Sequence, residues 1–400
     1  MHPRVKPALR RGWRDLTTVQ VGVTPAHAVV LGPVDPATAS LLHLLDGTRG
    51  LPLLREEGSR IGLPEGHVDK LVSYLAGAGL LDDTTGGGPS ADALRKRPDT
   101  LDRLCPDLAS LSLVDREPDG GIRRLAARRD LRVQVRGAGR VGASVAAVLA
   151  GAGVGQVDVL DGGCVRPEDV APGGVRAEDI GERRDMSARR LVRRCAPGRA
   201  PRRAGPRRTS PRGPSADRVV RAPGAEPPLS LVVLAPRDGL SAYAPDPCPA
   251  EPFMVSGTPH LYAGVVEGTG VVGPLVLPGV SACARCLDLG RSERDPAWPR
   301  MLAQWRSGRA PAVQACDLAL ATAVAGLAAA HALAFMDGRL PASAGARWEA
   351  AVPGLGWRAE PVPPQWTCPC GAAERSEREH TITEREDTSM EREPHETMAR

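Results

Sequence analysis

Residues 131–161 read LRVQVRGAGRVGASVAAVLAGAGVGQVDVLD. The first five alternate in the manner of a β-strand, and residues 137–142 then place three glycines in the pattern GxGxxG. An apolar stretch over 143–150 predicts a helix, and residues 157–160 predict a second strand that ends on Asp161. A strand, a glycine turn, a helix and a second strand in this order predict a Rossmann-like α/β domain.

The glycine turn predicts a phosphate site. Glycines let the backbone approach a phosphate closely, and the helix N-terminus supplies free N–H groups and positive potential. The acid at the end of the second strand is placed to accept a hydrogen bond from a ribose hydroxyl. The predicted cofactor-binding residues are Gly137, Gly139, Arg140, Gly142 and Asp161. A tight turn without a ligand, or a nicotinamide- or flavin-dependent oxidoreductase, fits the same pattern.

Two close pairs of cysteines predict a structural zinc site. They are Cys283 with Cys286 and, later in the chain, Cys368 with Cys370. Zinc in a structural site takes four soft ligands in a tetrahedron, and four thiolates leave no open position for water. Ordinary buried cysteines and a redox pair are the alternatives, although the first pair does not open a helix after a thioredoxin-like strand.

The composition indicates a globular protein of two or three domains. Hydrophobic residues make up 42% of the 400 residues, enough for buried cores in two or three domains. A net charge of +5 is weak evidence for nucleic-acid binding, and no run of about 18 apolar residues predicts a membrane span. The basic start has no apolar segment typical of a signal peptide. We therefore expect a cytoplasmic protein that binds neither nucleic acid nor membrane, in which nine cysteines indicate metal or thiol chemistry rather than disulfides.

Residues 1–83 predict a small α/β module in front of this domain. Two short strands precede three helices, an order typical of winged-helix-like modules. The predicted strands cover 18–21 and 28–31, and the predicted helices cover 37–45, 52–59 and 65–78.

The remaining boundaries follow from changes in composition. Three consecutive glycines open a predicted linker over 84–100, which leads to the nucleotide-binding domain over 101–371. Within that domain, an arginine- and proline-rich insert over about 195–228 has few apolar residues and predicts disorder. The charged tail over 372–400 shows no apolar period and predicts disorder as well.

The segment VRGAGRVGASVAAVLAGAGVGQVDVLDGGCVRPEDV, residues 135–170, resembles the opening of the ThiF/MoeB/HesA (ubiquitin-activating-like) family. LVVLAPRDG (231–239), FMVSG (253–257) and GPLVLPGVSACARCL (273–287) follow in that family's order. The resemblance implies a Rossmann-like, ThiF-type adenylation domain with a structural zinc site. Members of the family activate a carboxylate, often of a peptide or protein C-terminus, as an acyl-adenylate formed from ATP with release of pyrophosphate.

The same resemblance implies roles for individual residues. Asp238 matches the acid that helps to hold Mg²⁺, an ion that prefers oxygen ligands. Arg184 matches the catalytic lysine, although a guanidinium fork is not equivalent to an ammonium. Gly163 stands where the family has a second acid, and Asp169 and Pro172 stand where it has an asparagine and an arginine. These departures bear on how efficiently the protein adenylates.

The front module resembles the PqqD-like peptide-recognition elements of peptide-modifying enzymes through LLDGTRGLPLL, residues 44–54. This implies a precursor peptide as partner, bound by edge-strand addition; a structural cap without a ligand is the alternative. Two functions stay open. One is ATP- and Mg²⁺-dependent adenylation of a peptide or small carrier protein. The other is a non-catalytic scaffold that binds a leader peptide for a YcaO-type cyclodehydratase. The ThiF resemblance also implies a homodimer.

Overall fold

The computed structural model describes residues 1–198, 228–309 and 313–375. These residues form two compact units. The first unit contains residues 1–130 together with 151–155, and the second contains nearly all of the other described residues.

The first unit opens with the small α/β module. Its elements are β1 (Pro3–Val5), β2 (Arg11–Trp13), β3 (Val19–Val21), β4 (Val29–Leu31), α1 (Pro36–Leu44), α2 (Leu51–Arg60), α3 (His67–Gly77) and β5 (Leu81–Asp83). Strands β2, β3 and β4 form an antiparallel sheet in that order, and β1 pairs with β5. Asp35 begins α1 by accepting a hydrogen bond from the Thr38 N–H. The two predicted strands and three predicted helices are all present.

Four further helices complete the first unit: α4 (Gly88–Arg95), α5 (Pro98–Arg103), α6 (Cys105–Val114) and α7 (Gly120–Arg128). Residues 84–100, predicted to be a linker, thus contain α4 and the first half of α5. Ala91 and Leu94 of α4 are buried in a core cluster with Leu104 and Leu125. Packing of these few apolar side chains outweighs the local glycine and proline content, and the domain boundary itself stays a prediction.

A buried lysine joins the start of the chain to the end of α6. The Lys6 ammonium donates hydrogen bonds to the carbonyl oxygens of Ser112 and Asp115. The last carbonyls of a helix have no partner within it, so the ammonium satisfies groups that would otherwise be buried and unpaired. Burial lowers the pKa of Lys6 from its ordinary value.

The second unit is built on a seven-stranded sheet. Its elements are β6 (Arg132–Arg136), α8 (Arg140–Gly151), β7 (Gln156–Leu160), α9 (Arg184–Cys195), β8 (Leu231–Leu234), α10 (Gly239–Tyr243), α11 (Glu251–Ser256), β9 (His260–Val266), β10 (Thr269–Val276), α12 (Ala284–Arg294), α13 (Trp298–Ser307), α14 (Leu318–Met336), β11 (Ala346–Ala351) and β12 (Arg358–Pro361).

The sheet has the order β12-β11-β10-β9-β8-β6-β7. Strands β7, β6, β8 and β9 are parallel, and β10, β11 and β12 extend the sheet in antiparallel fashion. Every residue of β8 is buried, as expected for a parallel strand covered on both faces. The predicted Rossmann-like fold is therefore confirmed, with the glycine turn between β6 and α8.

Helix α14 is the one described helix that is long and apolar enough to cross a membrane. It packs against β9 and β10, and its Val324, Ala328 and Ala329 side chains are fully buried. Asp317 caps it by accepting a hydrogen bond from the Leu320 N–H at 3.0 Å. We assign α14 to the core of the second unit.

Helix α10 is held at its end by two arginines. The Arg291 and Arg347 guanidiniums lie 4.1 and 4.5 Å from the ring centre of Tyr243. Both also donate to the Tyr243 carbonyl oxygen, at 2.9 and 3.0 Å. Trp298 packs edge-on against the same ring, at 6.4 Å between centroids.

The predicted insert over 195–228 and the predicted tail over 372–400 lie almost wholly outside the described residues. Within the tail, Ala372 and Ala373 are described and buried.

Candidate functional site

The glycine turn joins β6 to α8 at the carboxyl end of the parallel strands. Gly137 has a φ of +107°, and a Cβ there would lie 1.9 Å from the Ala235 carbonyl oxygen, so this position requires glycine. Gly139, Arg140 and Gly142 border a cavity of about 540 Å³ at the start of α8. The first N–H groups of a helix have no partner within it, which makes this end of α8 suited to an anion.

Asp161 supports the glycine turn from the end of β7. One carboxylate oxygen accepts from the Ala138 N–H at 2.8 Å. The other accepts from the Gly163 N–H at 3.0 Å and from Arg184 Nε at 2.8 Å. A carboxylate offers about four acceptor positions, so roughly one is left for a ligand. The structure brings Asp161 beside the glycine turn, and its contact with a ribose stays a prediction.

Arg184, the first residue of α9, fills the space beside Gly163. Its guanidinium pairs with Asp161 at 2.8 Å and Asp169 at 3.5 Å, and Nη1 donates to the Cys164 carbonyl oxygen at 2.6 Å. A Cβ on Gly163 would lie 2.2 Å from Arg184 Nη2. The missing side chain at position 163 is therefore what makes room for the guanidinium.

Asp238 follows β8 and caps α10. It accepts hydrogen bonds from the Leu240 N–H at 3.2 Å, the Ser241 N–H at 3.3 Å and the Ser241 hydroxyl at 2.7 Å. These bonds fix an exposed carboxylate at a second cavity of about 580 Å³, which Asp161, Arg184 and Asp246 also border. Carboxylate oxygens are the ligands that Mg²⁺ prefers, and both Asp238 and Asp246 offer them at this cavity; a magnesium ion bound by Asp238 stays a prediction.

Arg237 borders both cavities and was not among the predicted site residues. Its Nε donates to Asp169 at 2.7 Å, and its Nη2 donates to Glu168 at 3.3 Å. The carbon atoms of its side chain lie where a side chain on Gly139 would point. The one signal in the sequence is its place at the carboxyl end of β8, where open α/β sheets bind ligands.

Two more arginines border the cavity at the start of α8. Arg140 Nη1 donates to the Cys316 carbonyl oxygen at 2.7 Å, which ties the guanidinium to the segment before α14. Arg166 is 65% exposed and pairs with Glu168 at 3.7 Å. Of these two, only Arg166 presents a largely exposed guanidinium to a ligand.

The four predicted zinc ligands form one cluster in the same unit. All four sulfur atoms lie within 4.8 Å of one another. The distance from Cys283 to Cys368 is 3.6 Å, from Cys286 to Cys370 3.5 Å, and from Cys283 to Cys286 3.9 Å. Four sulfurs at about 2.3 Å from a zinc ion in a tetrahedron would be about 3.8 Å apart. The cluster therefore has the geometry to hold zinc.

The thiols of this cluster are electrostatically unequal. The hydrogen bond from Cys283 lowers the pKa of Cys286 to about 5 and, together with burial, raises the pKa of Cys283. Burial raises the pKa of Cys368 to about 11. A cation placed among these sulfurs would favour the thiolate form of all four.

Comparison with known proteins identifies the family. The ThiF family model matches residues 118–370, more than half of the chain. The chain belongs to the ThiF family. A comparison with curated proteins found no match.

Solved structures of similar fold include those of MccB and PaaA. MccB of E. coli, solved with MccA-N7isoASN, has a TM-score of 0.64 at 13% identity, covering 93% of this chain and 100% of that one. The microcin C7 biosynthetic enzyme MccB with N-formylated MccA has a TM-score of 0.63 at 12% identity, covering 93% and 100%. PaaA has a TM-score of 0.61 at 15% identity, covering 89% and 99%. At such identities the likeness shows the fold.

Three departures from the ThiF pattern have different structural settings here. Gly163 is coupled to Arg184 by the contact described above. Asp169 is almost fully buried, and its carboxylate accepts from both Arg184 and Arg237. Pro172 borders neither of the two cavities. The arginines that border these cavities nearby are Arg184, on α9, and Arg237, after β8.

Proposed function

We propose that this ThiF-family protein is an ATP-dependent adenylyltransferase that activates a carboxylate of a peptide or small carrier protein. The observation that carries the proposal is the pair of cavities at the carboxyl ends of β6, β7 and β8. Pro236, Arg237 and Gln314 border both, so the two cavities are neighbours. Volumes of about 580 and 540 Å³ lie in the range of small-molecule sites.

The side chains that line the two cavities suit different parts of a nucleotide. The cavity at the start of α8 offers a helix N-terminus and the exposed guanidinium of Arg166, which suit a phosphate chain. The other offers Asp161 for a ribose, apolar walls such as Leu234, and Asp238 for a magnesium ion. A substrate carboxylate oxygen would attack the α-phosphorus, the bond to pyrophosphate would break, and the surrounding donors would stabilise the charge on the phosphates.

Proteins of similar fold support nucleotide and peptide as ligands. MccB has been solved with ATP and, separately, with N-formylated MccA. We extend both ligand classes to this chain as part of the proposal. A homodimer is a further part of it, by analogy with the family.

Exchange of labelled pyrophosphate into ATP tests adenylation directly. Candidate substrates are short peptides or small proteins encoded beside the gene. Wild-type protein with its substrate should exchange, and Asp238→Ala should reduce the rate at least a hundredfold, the scale of losing one preorganised electrostatic group. Glu293→Ala removes an exposed acid of α12 and serves as the control. Equal rates for Asp238→Ala and wild type would contradict the proposal.

A scaffold that binds a leader peptide for a YcaO-type enzyme is the second candidate. Two observations favour it. The Asp161 carboxylate already accepts three hydrogen bonds within the protein, so few acceptor positions remain for a ribose hydroxyl. The front module also has a cavity of about 330 Å³ beside Trp13 and Leu16, where the Leu16 side chain is 97% exposed.

Leader binding is tested on the full chain with a fluorescent peptide encoded beside the gene. If the front module binds it, Leu16→Asp should weaken binding about tenfold or more, because it places a charge in an apolar contact. Leu340→Asp, an exposed leucine of the second unit, is the matched control. Binding of the peptide without binding of ATP by calorimetry would favour the scaffold over the enzyme.

A further inference from the structure

Arg237 and Arg184 differ in how many of their guanidinium N–H groups are already hydrogen-bonded within the protein. The Arg184 side chain is 10% exposed and bonds to Asp161, Asp169 and a backbone carbonyl. The Arg237 side chain is 24% exposed, and its Nη1 has no hydrogen-bond partner among the described residues. The Arg184 guanidinium is thus bound within the protein, whereas Nη1 of Arg237 is available to donate to a ligand.

The two acidic partners of Arg237 differ in burial and in their distance from the guanidinium. Asp169 is 3% exposed and holds Nε at 2.7 Å, which fixes the stem of the side chain. Glu168 is 58% exposed and lies 3.3 Å from Nη2. A solvent-exposed ion pair contributes little to stability, so a phosphate can replace Glu168 at little cost. A ligand can therefore replace Glu168 as the partner of Nη2, while Asp169 continues to hold Nε.

The position of Arg237 matches the path that a nucleotide would take. Its side chain lies against Gly139 in the glycine turn and borders both cavities. A phosphate chain that spans the two cavities would lie beside their shared border, which Arg237 lines together with Pro236 and Gln314. Guanidinium forks bind phosphate oxygens in bidentate fashion, more specifically than an ammonium does.

We propose that Arg237 binds the phosphate chain of the nucleotide at the boundary between the two cavities, positioned by Asp169 and exchanging Glu168 for phosphate oxygens. This rests on the proposed function, because it requires ATP in these cavities. Arg237 then supplies the positive charge that the family places at position 172, from the end of a different strand.

Calorimetry with full-length protein and Mg²⁺ tests the proposal with three probes: ATP, inorganic tripolyphosphate and adenosine. Arg237→Gln should weaken ATP and tripolyphosphate at least tenfold, the scale of one charge-assisted hydrogen bond, and leave adenosine within twofold. Arg237→Lys should recover part of the loss, because it restores the charge without the fork. Arg176→Gln, an exposed arginine outside both cavities, is the control.

The outcomes separate this inference from the function on which it rests. Wild-type protein that binds none of the three probes would overturn the proposed function and the role of Arg237 together. Binding of ATP that is equal in wild type and Arg237→Gln would overturn the role of Arg237 alone. Equal weakening of adenosine and ATP in Arg237→Gln, with circular dichroism unchanged, would show a general effect on the cavity and also overturn it.

Discussion

The second unit contains two polar centres that relate differently to the family pattern. The four cysteines form the two close pairs that the family resemblance implies, although the second pair has CxC spacing where the family more often has CxxC; their sulfur distances suit a tetrahedral ion. Around the glycine turn, several side chains differ from those that the resemblance implies, and arginine–carboxylate pairs occupy the space there. The cysteine centre departs from the implied pattern in one spacing, and the glycine-turn centre departs from it at several side chains.

This difference shows where the fold tolerates change. Four ligands around one ion must all be present, because the loss of one opens the coordination sphere. The charges around a nucleotide are less strictly placed, since several side chains at the ends of neighbouring strands can reach the same phosphates. Arg184 and Arg237 occupy such positions on α9 and after β8. The comparison yields three predictions.

The largest effect is expected at the cysteines. Elemental analysis should find about one zinc ion per chain in wild type and none in Cys283→Ser. Structural zinc sites contribute on the order of 10 kcal/mol to folding, so the variant should lose several kcal/mol of unfolding free energy in thermal or denaturant melts. Cys248→Ser, which alters an exposed thiol outside the cluster, should match wild type. Wild-type protein that is stably folded without metal would contradict the prediction that zinc binding by the four cysteines stabilises the fold.

A smaller effect should follow from filling the space beside Gly163. Gly163→Ala places a methyl group against the Arg184 guanidinium and should lower the unfolding free energy by about 1–3 kcal/mol, the usual cost of overpacking. In an Arg184→Gln background the same substitution should cost clearly less, because the crowding group has gone. Urea melts of the four proteins give this coupling energy. An equal cost in both backgrounds would mean that the two positions are independent.

The smallest effect concerns a histidine packed near the cysteines. His260 is buried against Phe253 and Tyr262, and burial lowers its pKa. Below about pH 6.5 the unfolded chain therefore binds more protons than the folded one, and the unfolding free energy falls with decreasing pH by up to about 1.4 kcal/mol per pH unit. His260→Phe should flatten this dependence between pH 7 and 5 in denaturant melts. His27→Gln, in the front module, should leave the slope unchanged.

Local features of the site could be predicted from sequence, and long-range pairings could not. The glycine turn and Asp161 lie within one strand–helix–strand unit, so their proximity follows from spacing alone. The cysteines could be paired because four soft ligands in two short motifs have few other uses. Arg237 and Asp169 are 68 positions apart, and only the packing of β8 beside β6 brings them together.

The same distinction applies to the fold. The ends predicted for the strands and helices with clear apolar periods lie within three residues of the observed ends. Helices α4 and α5 were missed because each is short and its apolar residues are few. The burial of α4 depends on Leu104, between α5 and α6, and on Leu125 of α7, which give no signal within the segment itself.

The two arginines stacked on Tyr243 give this protein a built-in optical reporter. The Arg291 guanidinium that holds the end of α10 also lies 4.7 Å from the ring centre of Trp298. Asp238 caps the opposite end of that helix, so a ligand that moves Asp238 and displaces α10 would alter the surroundings of the Trp298 indole. Its fluorescence can then follow occupancy of the site in unlabelled protein, with Trp298→Phe to assign the signal among the chain's six tryptophans.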